Sequence, residues 1–150
     1  MNIGNVAPDF TLKDGNGTDW TLSDQRGKVV VLMFYPGDDT PVCKKEMCSV
    51  RDHWSDYKAT AAVVVGISTD SVESHDKFAN KYSLPLTLLA DEKGEVKGKY
   101  GAKSLLPGRT ARAEFVIDPQ GKIAYQKIRP IGLFRPSDKE VLNAIKAASK

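Results

Sequence analysis

Short continuous apolar runs alternate along the chain with longer, more polar segments. Two of the runs, residues 28–35 and 61–69, are rich in β-branched residues, as is typical of strands buried on both faces of a sheet. Residues 86–91 predict a third, shorter strand. The more polar segments predict helices at residues 42–59, 71–82, 92–101 and 136–149. Two pairs of short strands flank glycine-containing turns and predict hairpins, 9–13 with 19–22 and 113–118 with 122–128. This order predicts an α/β fold of three layers, with a central mixed sheet flanked by helices and an N-terminal β-hairpin.

The junction between the first buried strand and the first helix is marked by turn and cap residues. Thr40 is a suitable N-cap and Pro41 a suitable first helical residue. A strand that runs into a helix in this way places residues 36–43 at the carboxyl edge of the sheet. Sites of α/β proteins usually lie at that edge, so the sequence predicts the functional site there.

Composition limits the classes of function without choosing one. The chain has 150 residues, which fits a single domain over 1–150, and 41% hydrophobic with 27% charged residues is ordinary for a globular protein. The net charge of +3 is too weak, and the basic residues too dispersed, to favour nucleic acid. The chain shows no signal-peptide pattern and no apolar run long enough for a membrane span, so a cytoplasmic protein is expected.

Cys43 and Cys48 are the only cysteines of the chain, and they lie five residues apart. Together with His53 and His75 they could be imagined as zinc ligands. However, residues five apart on a helix point about 140° away from each other, which does not suit one metal ion. We therefore expect no metal, and we expect both histidines to be polar surface residues.

The same spacing decides how the two thiols could form a disulfide. In a helix the Cα atoms of Cys43 and Cys48 lie roughly 8–9 Å apart, whereas a disulfide needs less than about 7 Å. The pair could form a bond only if the first turns of the helix unwound. A buried inert thiol remains a good interpretation of Cys48. At the third helical position, however, free backbone N–H groups and the helix dipole favour a reactive thiolate on Cys43.

The segment "FYPGDDTPVCKKEMCSVRD" resembles the peroxiredoxins. Pro36, Thr40 and Cys43 match the family pattern P-x-x-x-T-x-x-C. A second cysteine five residues later is similar to the Q-type, or bacterioferritin comigratory protein, subgroup. The resemblance also covers residues 6–17, 27–36 and 112–118. It implies a thioredoxin-like version of the fold predicted above.

The resemblance assigns roles to individual residues around Cys43. It implies that Cys43 attacks the peroxide, that the Thr40 hydroxyl bonds the thiolate and the peroxide, and that Pro36 shields the site. Arg112 resembles the arginine that stabilises the thiolate, although Arg109 lies close enough in sequence to be an alternative. Fixed donors of this kind would stabilise the charge that develops on the leaving oxygen.

Two further roles come from the second half of the segment. Glu46 resembles the acidic residue that holds the family arginine, and Cys48 resembles the resolving cysteine. Val42, Lys44 and Glu114 depart from the subgroup pattern, in which a glycine is usual at 42, a threonine is common at 44 and a charge at 114 is unusual.

The resemblance implies an atypical 2-Cys peroxiredoxin. Such an enzyme reduces hydrogen peroxide and organic hydroperoxides through a Cys43 sulfenic acid and a Cys43–Cys48 disulfide. Thioredoxin or a similar dithiol would recycle it, no cofactor would be needed, and a monomer would suffice. Two alternatives remain, a thioredoxin-like thiol-disulfide oxidoreductase, which usually has a C-x-x-C pair, and a non-enzymatic holdase.

Overall fold

A computed structural model describes residues 2–38, 41–102, 112–129 and 138–149, without the side chains of 41–44, 46 and 129. Within these ranges the strands form one sheet of seven, in the order β2-β1-β5-β4-β3-β6-β7. The strands are β1 Thr11–Asp14, β2 Asp19–Thr21, β3 Val30–Phe34, β4 Val63–Ser68, β5 Thr87–Ala90, β6 Arg112–Ile117 and β7 Ile123–Arg129. β3, β4 and β5 run parallel, and the other neighbours pair antiparallel. The mixed sheet and both predicted hairpins are therefore confirmed.

Five α-helices pack around this sheet in the described part of the chain. They are α1 Pro41–Asp52, α2 Trp54–Ala59, α3 Val72–Tyr82, α4 Glu95–Lys99 and α5 Asp138–Ala148. None of them is long and apolar enough to cross a membrane. Helix α3 is capped at its start by Ser71, whose hydroxyl accepts a hydrogen bond of 3.1 Å from the backbone N–H of Ser74.

The helices lie on both faces of the sheet, as the three-layer prediction requires. All five residues of β3 are buried, and they alternate between two apolar cores. Val31 and Met33 belong to the core that also contains Met47 of α1 and Ile145 of α5. The opposite core contains Tyr100, which follows α4. β3 is thus an interior strand that contributes to both cores, and it carries the chain towards the start of α1.

The single helix predicted for residues 42–59 is wrong in one respect. His53 leaves the helical conformation, with φ −106° and ψ 16°, and a second helix begins at Trp54. This break turns α2 so that the buried hydroxyl of Tyr57 donates a 2.6 Å hydrogen bond to Asp138 in α5. The tertiary contact to α5 therefore outweighs the local preference for a continuous helix.

Candidate functional site

Both cysteines lie in α1, as the sequence predicts. Helix α1 begins at Pro41, so Cys43 is its third residue and Cys48 its eighth. Cys48 is a half-buried free thiol. Because residues 43–48 are helical, the two Cα atoms lie beyond the range of a disulfide, at roughly 8–9 Å by helical geometry. The helical conformation of this segment is therefore incompatible with a disulfide between Cys43 and Cys48.

Helix α1 is fixed to the sheet by its apolar face. Met47 and Val50 are fully buried in the core beneath it. Gly66 of β4 lies on the same face, where a Cβ atom would lie at an ordinary 3.6 Å from the Met47 sulfur but only 2.9 Å from Cδ2 of Leu88 and 3.1 Å from Cε1 of Tyr35. The missing side chain at Gly66 therefore makes room for Leu88 and Tyr35 beneath α1.

Arg112 lies on the same side of the sheet as α1. It is the first residue of β6, an interior strand, and is only 3% exposed. Its neighbour Glu114 pairs directly with Met33 of β3, which places both side chains on one face. Arg112, two residues before Glu114, projects to that same face. An inward-facing position of Arg112 is thus supported, and Glu114 is buried on the same face.

The structure describes the remaining predicted site residues to different extents. Pro36 is half-buried just after β3 ends. Glu46 lies in α1, but its side chain is outside the described part of the structure. Thr40 and Arg109 also lie outside the described residues, so their predicted roles stay predictions.

A buried polar cluster next to this segment was missed by the sequence analysis. The carboxylate of Asp38, three residues before Pro41, accepts hydrogen bonds from Tyr35 Oη at 2.6 Å and Ser74 Oγ at 2.7 Å. It also lies 2.8 Å from Nδ1 of His75. Burial and the charge of Asp38 raise the pKa of Tyr35 well above its usual value, so the phenol remains a donor. We call these four residues the Asp38 cluster.

The prediction that His75 is a polar surface residue is wrong. Its side chain is fully buried, and its Nε2 lies 2.9 Å from the carbonyl oxygen of Leu89 in β5. The polar ring can be buried because both nitrogens have hydrogen-bond partners. A sequence signal existed, since His75 precedes Phe78 by three and Tyr82 by seven residues, on the apolar stripe of α3.

A second polar cluster anchors the end of α1 and the start of α2. Asp138 of α5 accepts hydrogen bonds from Ser49 Oγ at 2.5 Å and Tyr57 Oη at 2.6 Å. His53 is exposed, as predicted, and its Nδ1 lies 3.2 Å from the Asp138 carboxylate. The hydrogen bond to the Ser49 carbonyl and the charge of Asp138 raise the pKa of His53 above its usual value.

Comparison with known protein sequences shows which protein family this chain matches. The AhpC/TSA family profile matches residues 3–126. The chain is 47% identical over 129 residues to the chloroplastic peroxiredoxin Q of Triticum aestivum. That match covers 83% of this chain but 58% of the wheat protein, so the chain spans less than two thirds of that relative.

Solved structures show the same fold over almost the whole chain. The peroxidoxin BcpB of Mycobacterium tuberculosis superposes with a TM-score of 0.89 at 34% identity, covering 100% of this chain and 99% of that one. A cysteine-to-serine mutant of PrxQ from Xylella fastidiosa gives a TM-score of 0.87 at 29% identity, covering 98% and 96%. The predicted thioredoxin-like α/β architecture is confirmed by these neighbours.

Proposed function

The chain belongs to the AhpC/TSA family, and from this premise we propose that it is a thiol-dependent peroxidase with Cys43 as its nucleophile. The proposed substrates are hydrogen peroxide and organic hydroperoxides. We also propose that the catalytic cycle passes through a disulfide and that an external reductant returns the protein to its starting state.

The observation that carries this proposal is the position of Cys43 at the third residue of α1. The first backbone N–H groups of a helix have no partner within it, and the helix dipole is positive at this end. Both favour a thiolate, which is the nucleophilic form of cysteine. Arg112 supports the same charge state, because it adds a buried guanidinium on the α1 face of the sheet.

In the proposed first step, the Cys43 thiolate attacks one oxygen of the peroxide. The S–O bond forms as the O–O bond breaks, and the leaving oxygen takes a proton to become water or an alcohol. Cys43 is oxidised by two electrons to sulfenic acid. Thr40 and Arg112 are the proposed donors to the leaving oxygen, Glu46 orients Arg112, and Pro36 shields the reacting atoms from water.

In the proposed second step, the Cys48 sulfur attacks the Cys43 sulfenic sulfur and displaces water. The product is an intramolecular disulfide, which an external dithiol such as thioredoxin reduces by exchange. Resolution within one chain needs no partner subunit, so a monomer is sufficient. These steps use no metal and no organic cofactor, and a cytoplasmic location remains our prediction.

A peroxide-consumption assay with thioredoxin, thioredoxin reductase and NADPH tests the proposal. We expect the unmodified protein to oxidise NADPH when hydrogen peroxide is added. Cys43→Ser should reduce this to background, since a serine hydroxyl is a weak nucleophile without a neighbouring base. Lys58→Gln, on the exposed side of α2, is the control and should behave like the unmodified protein.

Insulin reduction by dithiothreitol, in the absence of thioredoxin, distinguishes the alternative activity from peroxidase activity. A thiol-disulfide oxidoreductase would speed the reduction of insulin disulfides and leave peroxide untouched. Faster insulin reduction without peroxide turnover, or full peroxide turnover in Cys43→Ser, would contradict the proposed function.

A further inference from the structure

The buried carboxylate of Asp38 requires an explanation, because an isolated buried charge is strongly unfavourable. The side chain of Asp38 is only 4% exposed. It is stabilised by three side-chain contacts, from Tyr35, Ser74 and His75 at 2.6, 2.7 and 2.8 Å. These donors come from the end of β3 and from α3, so the carboxylate joins two elements that are far apart in sequence.

The contacts of His75 show that a proton is held between the two residues. Nε2 faces the carbonyl oxygen of Leu89, which can only accept, so Nε2 must carry a hydrogen. Nδ1 faces an oxygen of Asp38 at 2.8 Å, and that contact is attractive only if a proton lies between the two atoms. The shared proton ties the ring to the carboxylate whichever of the two atoms carries it. A short hydrogen bond of this kind gives a defined geometry.

The backbone at Asp38 is fixed as well. Its N–H donates a 2.7 Å hydrogen bond to Oδ2 of Asp70, and that oxygen accepts a second one, also 2.7 Å, from the hydroxyl of Ser68. Ser68 ends β4 and Asp70 follows it. The chain at residue 38 is therefore held from three directions: the end of β3, the end of β4 and helix α3.

From this geometry we infer that Asp38 and His75 are positioning residues that set the place where α1 begins and hence the place of Cys43. Only two residues separate Asp38 from Pro41, the first residue of α1. Each residue spans at most about 3.8 Å between Cα atoms, so a fixed residue 38 closely limits the start of the helix. The inference rests on the proposed function, in which the helix start activates Cys43.

Displacement of a reacting group by about 1 Å can slow a reaction by up to about a hundredfold. Loss of the donor to Asp38 should therefore slow the first oxidation of Cys43 by roughly tenfold or more. It should also raise the pKa of the Cys43 thiol, because the thiol moves relative to the helix N–H groups. A purely structural role of His75 would lower stability without changing this pKa in the folded protein.

Two substitutions at His75 separate these possibilities. His75→Leu and His75→Asn both lose the contact to Leu89, but the Asn amide keeps a donor near the position of Nδ1. Each is made in a Cys48→Ser background, mixed with hydrogen peroxide, and followed by rapid quenching and thiol counting across a range of pH. Urea unfolding shows which variants are folded.

We expect His75→Leu to be oxidised at least about tenfold more slowly, with the pH midpoint shifted upward, and His75→Asn to recover most of the rate. The matched control is His53→Leu, at the other histidine that contacts an aspartate. Its rate of oxidation should remain within about twofold of the rate of the Cys48→Ser parent. If His75→Leu does not fold, Ser74→Ala removes one donor to Asp38 and should still slow oxidation about threefold.

The inference is overturned if folded His75→Leu or Ser74→Ala reacts at the unmodified rate with an unshifted pH midpoint. It is also overturned if the Leu and Asn variants are equally slow, because the donor to Asp38 would then be irrelevant. A Cys48→Ser parent protein that leaves peroxide untouched would instead overturn the proposed function, and the inference with it.

Discussion

Ser49, the residue after Cys48, donates a 2.5 Å hydrogen bond from its hydroxyl to the carboxylate of Asp138 at the start of α5. Helix α1 is therefore attached to the body of the protein directly after its second cysteine. Asp38 attaches the chain five residues before Cys43, through the contacts described above. The segment that must change shape to form a disulfide lies between these two attached residues.

Disulfide formation should unwind α1 only between these points. Helical geometry keeps Cys43 and Cys48 too far apart to bond, so the turns between them must open. Hydrogen exchange should show amides 45–48 protected when both thiols are reduced and exchanging at least about tenfold faster in the disulfide form. The amide of His53, which donates to the carbonyl oxygen of Ser49, should stay protected in both forms. Helix α3 is the internal control. Unchanged protection of residues 45–48 in a verified disulfide form would refute this switch.

Cys48→Ser should stop the cycle after one turnover. Cys43 would still react once with peroxide, because Cys48 has no proposed part in the first step. Mass spectrometry should then show one added oxygen, or further oxidised forms at excess peroxide. Continuous NADPH oxidation at the unmodified rate in the thioredoxin assay would show that Cys48 is not the resolving thiol.

Arg112→Met should raise the pKa of the Cys43 thiol and slow its first oxidation by about tenfold or more, because it removes a permanent cation from the α1 face. Arg112→Lys keeps a charge but loses the planar fork, and should be intermediate. Absorbance of the thiolate against pH, measured with Cys48→Ser as parent, checks the shift. Arg109→Met serves as the comparison, and a larger effect there would transfer the proposed role to Arg109.

His53 should make stability depend on pH in a predictable direction. Its pKa in the folded protein is raised by the Ser49 carbonyl and by Asp138. The protonated ring is therefore favoured by folding, and its contribution is complete below about pH 6.5, the usual value of an unfolded histidine. It is lost as the pH rises through the raised folded value. The free energies of unfolding in urea of the protein and of His53→Gln should differ more at pH 5.5 than at pH 8.5. An equal difference at the two pH values would contradict the contact between His53 and Asp138.

Gly66→Ala should destabilise the protein by about 1–3 kcal/mol, as expected for overpacking a core. The new Cβ atom would lie 2.9 Å from Cδ2 of Leu88 and 3.1 Å from Cε1 of Tyr35. Gly15→Ala is a matched control, because its Cβ would meet only ordinary contacts of 3.6 Å or more. Chemical unfolding measures both variants, and equal stabilities would show that the packing at Gly66 relaxes freely.

The sequence predicts those parts of the fold that local patterns determine. The five buried residues of β3 form an uninterrupted apolar run, and Pro41 marks the first residue of α1, so the sequence predicts β3 and the start of α1 close to their observed positions. The site was placed at the carboxyl edge of the sheet for the same reason. Residue roles around Cys43 came from family resemblance, because short patterns of this kind identify chemistry better than periodicity does.

The missed features depend on contacts between distant residues. Asp38 and His75 are 37 positions apart, and the aspartate alone looks like an ordinary turn residue. The break at His53 likewise depends on Tyr57 reaching Asp138, 81 residues away. Hydrophobic periodicity describes each segment separately and carries no information about which polar groups will meet.

The anchored residue Asp38 also restricts how this chain can tolerate changes of length. With residue 38 held from three directions and α1 beginning at Pro41, an inserted or deleted residue between them would rotate the helix start by about 100° or force the cluster apart. The hairpin turn at residues 16–18 is exposed and joins two short strands, so an extra residue there changes little. Insertion scanning of the gene should therefore recover active proteins at the hairpin and none between residues 38 and 41.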